Sequence, residues 1–499
     1  MWQYFAIITA IAAGIIFHDL RHNSLHIALS PTSGTGISTP DVEGNPASRH
    51  SFIRINTRRD AWLLYFWIVI GALCLLAGLR YSVGIDTIIS MGRYDYLPAL
   101  KDMTADSLGR SQGGRHAWIL IMLKSLGIGL WSWQMLCALI LNLSFAIVLR
   151  KYTRLWFVGI ACWCLFGYII LDFETMLAGA AAGCLIAGIP DLERRRFGRF
   201  YIKLLIGAVF HLSALAMAWL PIMCSTGLRR FFGCSRNLLV CLLLAPAVAF
   251  GLKWLILVSL PLLDAFPAIG RYGFQSEYIL KYGETILEGA SLNLKGYIGL
   301  GFCNILIPLG AALLLLRAKD GQRSKSLFGM ILISYSILEL MRFEVIAFGR
   351  LSMLLLPALA IGLAMSLEEC RSRALTFGWW GAVVLAGLIG NKSLFDPMPL
   401  TGEGRRLEMY YPYCSWLDKG IVYRRAWLAF DYMIMYDSLD PNQRKPVYDF
   451  TFELKPGERE IHSPFYPRQT HADMELLRRR ICRSDSVAPV IPCGTVKQQ

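Results

Sequence analysis

The sequence predicts an all-α integral membrane protein, a polytopic helical bundle of about 10–12 spans with a C-terminal extramembrane tail. Three observations carry this reading. Of 499 residues, 55% are hydrophobic and only 17% charged, far from the soluble average. Apolar runs long enough to cross a hydrocarbon core of roughly 30 Å recur along the chain. Short alternating strand patterns are absent, which excludes a barrel.

The elements follow in order from hydropathy and loop charge. Residues 2–17 have the length of a signal peptide but lack a basic leading region. Arg21 and His22 come after the apolar stretch, so it reads as a first span with its N-terminus outside. The polar segment 21–60, with Arg49, Arg54, Arg58 and Arg59, reads as cytoplasmic. A second span covers 61–79 and an external loop 80–116. The stretch 117–130 is apolar but short and reads as a re-entrant or interfacial helix. Spans follow at 133–149, 155–171 and 175–189, with Asp172-Phe173-Glu174 as an external turn. Glu193, Arg194, Arg195, Arg196 and Arg199 then mark a cytoplasmic loop.

The run 200–224 lies between two basic clusters, and one crossing would put one of them outside. A hairpin of two short helices with His211 near its tip resolves the conflict; a single tilted span is the alternative. Further spans are expected at 238–262, 297–316, 327–341, 346–366 and 376–391, with an external loop at 264–295. The division is thus a transmembrane bundle over 1–391 and an extracytoplasmic tail over 392–499. In that tail, Tyr410-Tyr411-Pro412-Tyr413 reads as a structured cap and the end from Ser484 as disordered.

The net charge of +15 would suit a nucleic-acid partner, but the basic residues sit in short loops between apolar runs. That is the positive-inside pattern, with attraction to anionic lipid added. Most of the thirteen cysteines lie within apolar runs (Cys74, Cys137, Cys162, Cys164, Cys184, Cys241) and act as small hydrophobes. Cys482 and Cys493 would suit a disulfide in an external tail, or remain free thiols. No P-loop, HExxH or cysteine–histidine cluster is present, so neither ATP-driven transport nor a metal or other cofactor is expected.

Ionisable groups at membrane depth mark candidate functional sites. His211 lies within an apolar run; the bland alternative is a buried histidine bonded to a backbone carbonyl. The topology brings Arg80, Asp86, His211, Arg271, Arg342, Glu344 and Arg350 to the same outer side. Arginine matches phosphate oxygens bidentately, and several arginines at one surface fit a lipid-linked pyrophosphate. Asp86 and Glu344 beside arginines are candidate bases, or simple ion-pair partners of Arg80 and Arg342. Tyr81, Trp131, Trp133 and Tyr272 read as interface anchors before sugar-stacking platforms.

The residue order then becomes familiar. Leu79-Arg80-Tyr81-Ser82-Val83-Gly84-Ile85-Asp86 resembles an Arg-Tyr-x-x-Gly-x-Asp element after the second span of the EpsG family. Residues 206–215 resemble that family's Phe-His-x-Ser-Ala element. Ile346-Ala347-Phe348-Gly349-Arg350-Leu351 is similar to an arginine opening a late span, and Tyr411-Pro412-Tyr413 to a Pro-Tyr element after the last span. The resemblance covers roughly 1–420 and implies a Wzy-like polymerase of extracellular polysaccharide or O-antigen. Such an enzyme would join oligosaccharide repeats carried on undecaprenyl pyrophosphate at the outer face of a bacterial cytoplasmic membrane. Arg80, Arg271, Tyr272, Arg342 and Arg350 would hold pyrophosphate and glycan, and Asp86, His211 or Glu344 would orient or deprotonate the acceptor. Partners would be the lipid-linked oligosaccharide, membrane lipids and other polysaccharide-assembly proteins. A flippase for the same lipid, or a non-catalytic scaffold docked through its tail, are the competing readings.

Overall fold

Hydrocarbon offers a backbone no hydrogen-bond partner, so the apolar runs close on themselves as helices. The computed structural model describes residues 2–20, 57–84, 87–88, 90–91, 94, 97–103, 116–223, 225–264, 298–318, 322–370, 372–395, 406–410, 413–421 and 459–460. Its helices are α1 (Trp2–Gly14), α2 (Thr57–Gly78), α3 (His116–Ser125), α4 (Leu130–Tyr152), α5 (Trp156–Trp163) and α6 (Met176–Glu193). They continue as α7 (Phe197–Phe210), α8 (Leu220–Met223), α9 (Thr226–Gly233), α10 (Ser235–Asp264) and α11 (Ile307–Leu316). The last are α12 (Arg323–Met341), α13 (Ala347–Met353), α14 (Leu356–Glu368) and α15 (Arg373–Gly390). Extended pairing among the described residues is confined to a two-residue parallel pair, Gly420–Ile421 with Arg459–Glu460, and an antiparallel bridge of Arg80 with Ser415. Among the described residues, seven helical segments are long and apolar enough to cross a membrane, and the bent pair α13–α14 and the shorter Gln3–Asp19 and Ala374–Gly390 add to them. The protein is therefore a polytopic helical membrane protein.

Three segments widen into π-helix: Ile15–Asp19 after α1, Cys164–Glu174 after α5, and Gly301–Leu306 before α11. A π-turn displaces carbonyls from their normal partners, and side chains from other helices meet them. Asn391 Nδ2 donates to Leu165 O at 2.6 Å. The stretch expected to turn outside at Asp172 instead stays helical, and Asp172 is buried against α4. The hydropathy boundary fell short because a polar side chain with an internal partner costs the helix little.

Contacts at the helix ends define two faces. At one, Tyr4 Oη donates to Tyr410 O (2.9 Å), Tyr413 Oη to Leu76 O (2.9 Å), and Tyr410 bonds Glu174. The chain after α15 therefore caps the bundle beside the start of α1, the end of α2 and the α5–α6 turn, as the Tyr-rich segment led us to expect. The opposite face holds the basic clusters. Its ion pairs are Lys151–Glu193 (2.7 Å), Lys203–Asp191 (2.6 Å) and Lys325–Glu369 (2.6 Å). There the exposed N–H groups at the start of α5 are capped by other helices. Asp19 accepts from Val158 N at 2.7 Å, and Glu368 from Arg154 N at 2.6 Å and Thr153 Oγ1 at 2.7 Å.

The run between the two basic clusters does fold back. After α7, residues Leu212–Trp219 form a 3₁₀ arm whose Ala218 carbonyl accepts from Tyr201 Oη, one turn into α7, at 3.2 Å. His211 sits at the tip of this hairpin, where α7 ends in extended backbone. Helix α3 does not cross; it leans on the start of α4, with Leu120 and Ile121 packed near Trp133 and Cys137. Helix α6 is lined with Ala180, Ala181 and Ala182, all fully buried, which lets its backbone approach α4 and α7 closely.

Asp19→Ala or Glu368→Ala, by uncapping α5, should each cost about 1 kcal/mol of stability. The readout is the melting midpoint of the purified protein, and an unchanged midpoint in both variants would refute the capping role.

Candidate functional site

At the capped face the chain leaving α2 pairs with the chain after α15. Tyr81 N donates to Cys414 O, Trp416 N to Leu79 O and Gly84 N to Met409 O, each at 2.9 Å. Gly84 has φ +86°, and a Cβ there would lie 2.6 Å from Phe173 O, so both backbone and space require glycine. The turn sends the Arg80 side chain inward, where it has no exposure. Its Nε donates to Thr87 Oγ1 at 2.6 Å, a second nitrogen bonds Ala77 O, and a third lies 3.5 Å from Met176 Sδ. The guanidinium sits 5.4 Å over the ring of Phe173, the neighbour of Asp172 in the chain. Asp172 in turn accepts from Asn142 Nδ2 at 3.0 and 3.1 Å, and Trp163 Nε1 donates to Asn142 Oδ1 at 3.1 Å.

The expectation that Arg80 grips a pyrophosphate does not fit this burial. No edge of its fork reaches the surface, and it ties the end of α2 to Thr87, to the start of α6 at Met176 and to the Phe173 ring. Asp86, Arg271 and Tyr272 lie outside the described residues, as do Cys482 and Cys493.

His211 is half-buried, its Nδ1 2.5 Å from Ser213 Oγ. The preceding Phe210 stacks on Trp133 in the first turn of α4, with centroids 5.6 Å apart and planes 20° apart, which anchors the tip at the capped face. Helix α13, which carries Arg350, packs on the 3₁₀ arm that follows His211. Arg350 is exposed and has no ion pair among the described residues.

The turn between α12 and α13 carries Arg342 and Glu344. Glu344 is half-buried and has no ion pair among the described residues. Arg342 pairs instead with Glu339, Nη1 to Oε2 at 3.2 Å. Residues two apart on a turn face different ways, whereas three apart share a helix face, which favours Glu339. Glu339 also accepts from Asn304 Nδ2 at 2.9 Å, and its other oxygen bonds Ser352 Oγ. The Arg342 stem lies across Gly349, where an added Cβ would come 2.5 Å from Cδ. His211, Arg342, Glu344 and Arg350 thus share one face, while Arg80 sits beneath it.

The sequence reading passed over Glu339, Asn304 and Ser352. The signal was present: Glu339 is an acid inside an apolar span, the criterion that singled out His211. Asn142 was passed over as well, and Asp172 was read as part of an external turn. Among the described residues no three histidine, cysteine, aspartate or glutamate side chains gather as a metal-binding set.

The fold and this face define a multi-pass helical membrane protein whose polar groups collect toward one end of the bundle. A family model, the EpsG family, matches residues 63–379, and the chain belongs to the EpsG family. Membership supports a role in exopolysaccharide polymerisation at a coarse level. No curated protein and no solved structure matches the chain.

Gly349→Ala should push the Arg342 stem about 1 Å or more from its seat, since carbon contacts relax to roughly 3.5–4 Å. A structure of the variant checks this, and an unmoved Arg342–Glu339 pair would contradict it.

Proposed function

We propose that the protein is a polysaccharide polymerase that joins undecaprenyl-pyrophosphate-linked oligosaccharide repeats at the outer face of a bacterial cytoplasmic membrane. The observation that carries the reading is the packing of α13, which bears the exposed Arg350, on the 3₁₀ arm that follows the His211 hairpin tip, at the face that also bears Arg342 and Glu344. In the reaction an acceptor hydroxyl attacks the anomeric carbon of the donor sugar. The bond from that carbon to the diphosphate oxygen breaks, the lipid diphosphate leaves, and the hydroxyl proton passes to a base. Arg342 and Arg350, joined by Arg271 from the chain between α10 and α11, hold the diphosphate and offset the charge that grows on it. His211, Glu344 or Asp86 receives the proton. Tyr272 contacts the glycan. Arg80 acts from beneath, by fixing the end of α2.

Transport of the same lipid-linked glycan would need open cationic groups through the middle of the bundle. The polar groups seated deepest among the helices, Arg80, Asp172, Asn142 and Glu339, are closed in internal bonds, which favours chemistry at the rim. The basic face, with Arg195 and Lys151, is then cytoplasmic by the positive-inside rule, and both the N-terminus and the tail are extracytoplasmic.

His211→Ala and Arg350→Ala should leave single lipid-linked repeats and abolish long polymer, read on gels of extracted polysaccharide. Long polymer in both variants would reject the assignment. Orientation has a separate check. In a cysteine-free background, a cysteine at the exposed Leu417 should react with an impermeant thiol reagent in whole cells and one at Arg195 should not; the reverse pattern would invert the topology.

A further inference from the structure

Two irregular helices converge on one carboxylate. The π-turn before α11 presents Asn304, whose side chain donates to Glu339 Oε2 at 2.9 Å. The α13–α14 pair bends by 58°, and Ser352, on the last turn before the bend, donates to Glu339 Oε1. Arg342, closing α12, gives one nitrogen to Oε2 at 3.2 Å. Glu339 thus collects donors from three separate segments while its own side chain is only 5% exposed.

The geometry at Arg342 is asymmetric. A structural arginine–carboxylate pair tends to close bidentately and spend both nitrogens of one edge. Here only Nη1 touches Glu339, and Nε and Nη2 have no hydrogen bond among the described residues. The side chain remains 31% exposed. Its stem is pressed on bare Gly349, whose Cα leaves no room for a Cβ, 2.7 Å from Nε. Nη1 is clamped, the stem and Nε are seated on Gly349, and Nε and Nη2 keep their donor capacity.

We propose that Glu339 is a positioning residue that aims the free edge of Arg342 at a diphosphate, with Asn304 and Ser352 holding the carboxylate in register. This rests on the polymerase reading and names the group that orients its diphosphate clamp. Glu339 does not touch substrate. A carboxylate with three donors, buried beside a single arginine, loses its aim when any one donor is removed, because the charge must re-seat among the rest.

The test uses full-length protein in lipid nanodiscs and measures affinity for undecaprenyl pyrophosphate, with undecaprenyl phosphate as the monophosphate arm. Wild type should prefer the diphosphate. Arg342→Gln and Glu339→Gln should each weaken diphosphate binding about tenfold, as loss of a charge-assisted bond does. The double variant should bind no worse than Arg342→Gln alone, since Glu339 acts through Arg342. Additive losses would mean that Glu339 acts elsewhere and would overturn the proposal. Should Glu339→Gln fail to fold, Ser352→Ala decides: it should keep the wild-type melting midpoint and lose about threefold in diphosphate affinity. Unchanged affinity in Ser352→Ala would overturn the proposal in that case. A wild type without preference for the diphosphate would overturn the polymerase reading and this inference together. A wild type that prefers it, with Glu339→Gln at full affinity, would overturn this inference alone.

Discussion

Every polar group that enters hydrocarbon must be answered from within the protein, and this requirement shapes the bundle more than any packing preference. It explains why the start of α5 borrows caps from α1 and from α14. It explains why Tyr168 reaches across to Leu73 O at 2.6 Å and why Asn391 meets a carbonyl freed by a π-turn. It also explains the Arg80 cluster. A fully enclosed guanidinium is tolerable because carbonyl, hydroxyl, sulfur and ring face surround it. Remove one of these and the end of α2, with the chain paired to it, loses its seat.

The same rule separates structural from working charges. Arg80 and Asp172 are closed on all sides, whereas Arg350 is open and Arg342 is half open. The capped face is therefore graded. Its deepest charges hold helices together, and those nearer the surface keep donor capacity to spare. The hairpin completes the gradient by raising His211 from the basic face without a full crossing.

Much of this was legible in the sequence. Apolar runs located the spans, and the sign of loop charge made a 200–224 run that doubles back preferable to a single tilted span; the Tyr201–Ala218 bond shows the fold-back. The Tyr-rich stretch after the last span was recognisable as a cap. Three things were not legible. Hydropathy ended the α5 span before Asp172, because a linear scale cannot know that Asn142 waits on a neighbouring helix. Arg80 looked like a surface cation because the inward turn depends on Gly84 packed against Phe173. Arg342 was matched to the nearer Glu344, when helix geometry selects Glu339. Each miss concerns a partner distant in sequence or a direction in space, and the first also cut a span short.

The wide-wound stretch Cys164–Glu174 carries a consequence for how this chain tolerates length change. An α-helix advances about 100° per residue. A one-residue deletion in an ordinary span therefore turns everything beyond it by that angle. A π-turn holds one residue more than the α-turn it replaces, so a loss within Cys164–Glu174 can be taken up as tighter winding that keeps Met176–Glu193 in phase. The segment is thus a length buffer within the bundle, and single-residue length variation should be borne there better than in the regularly wound spans.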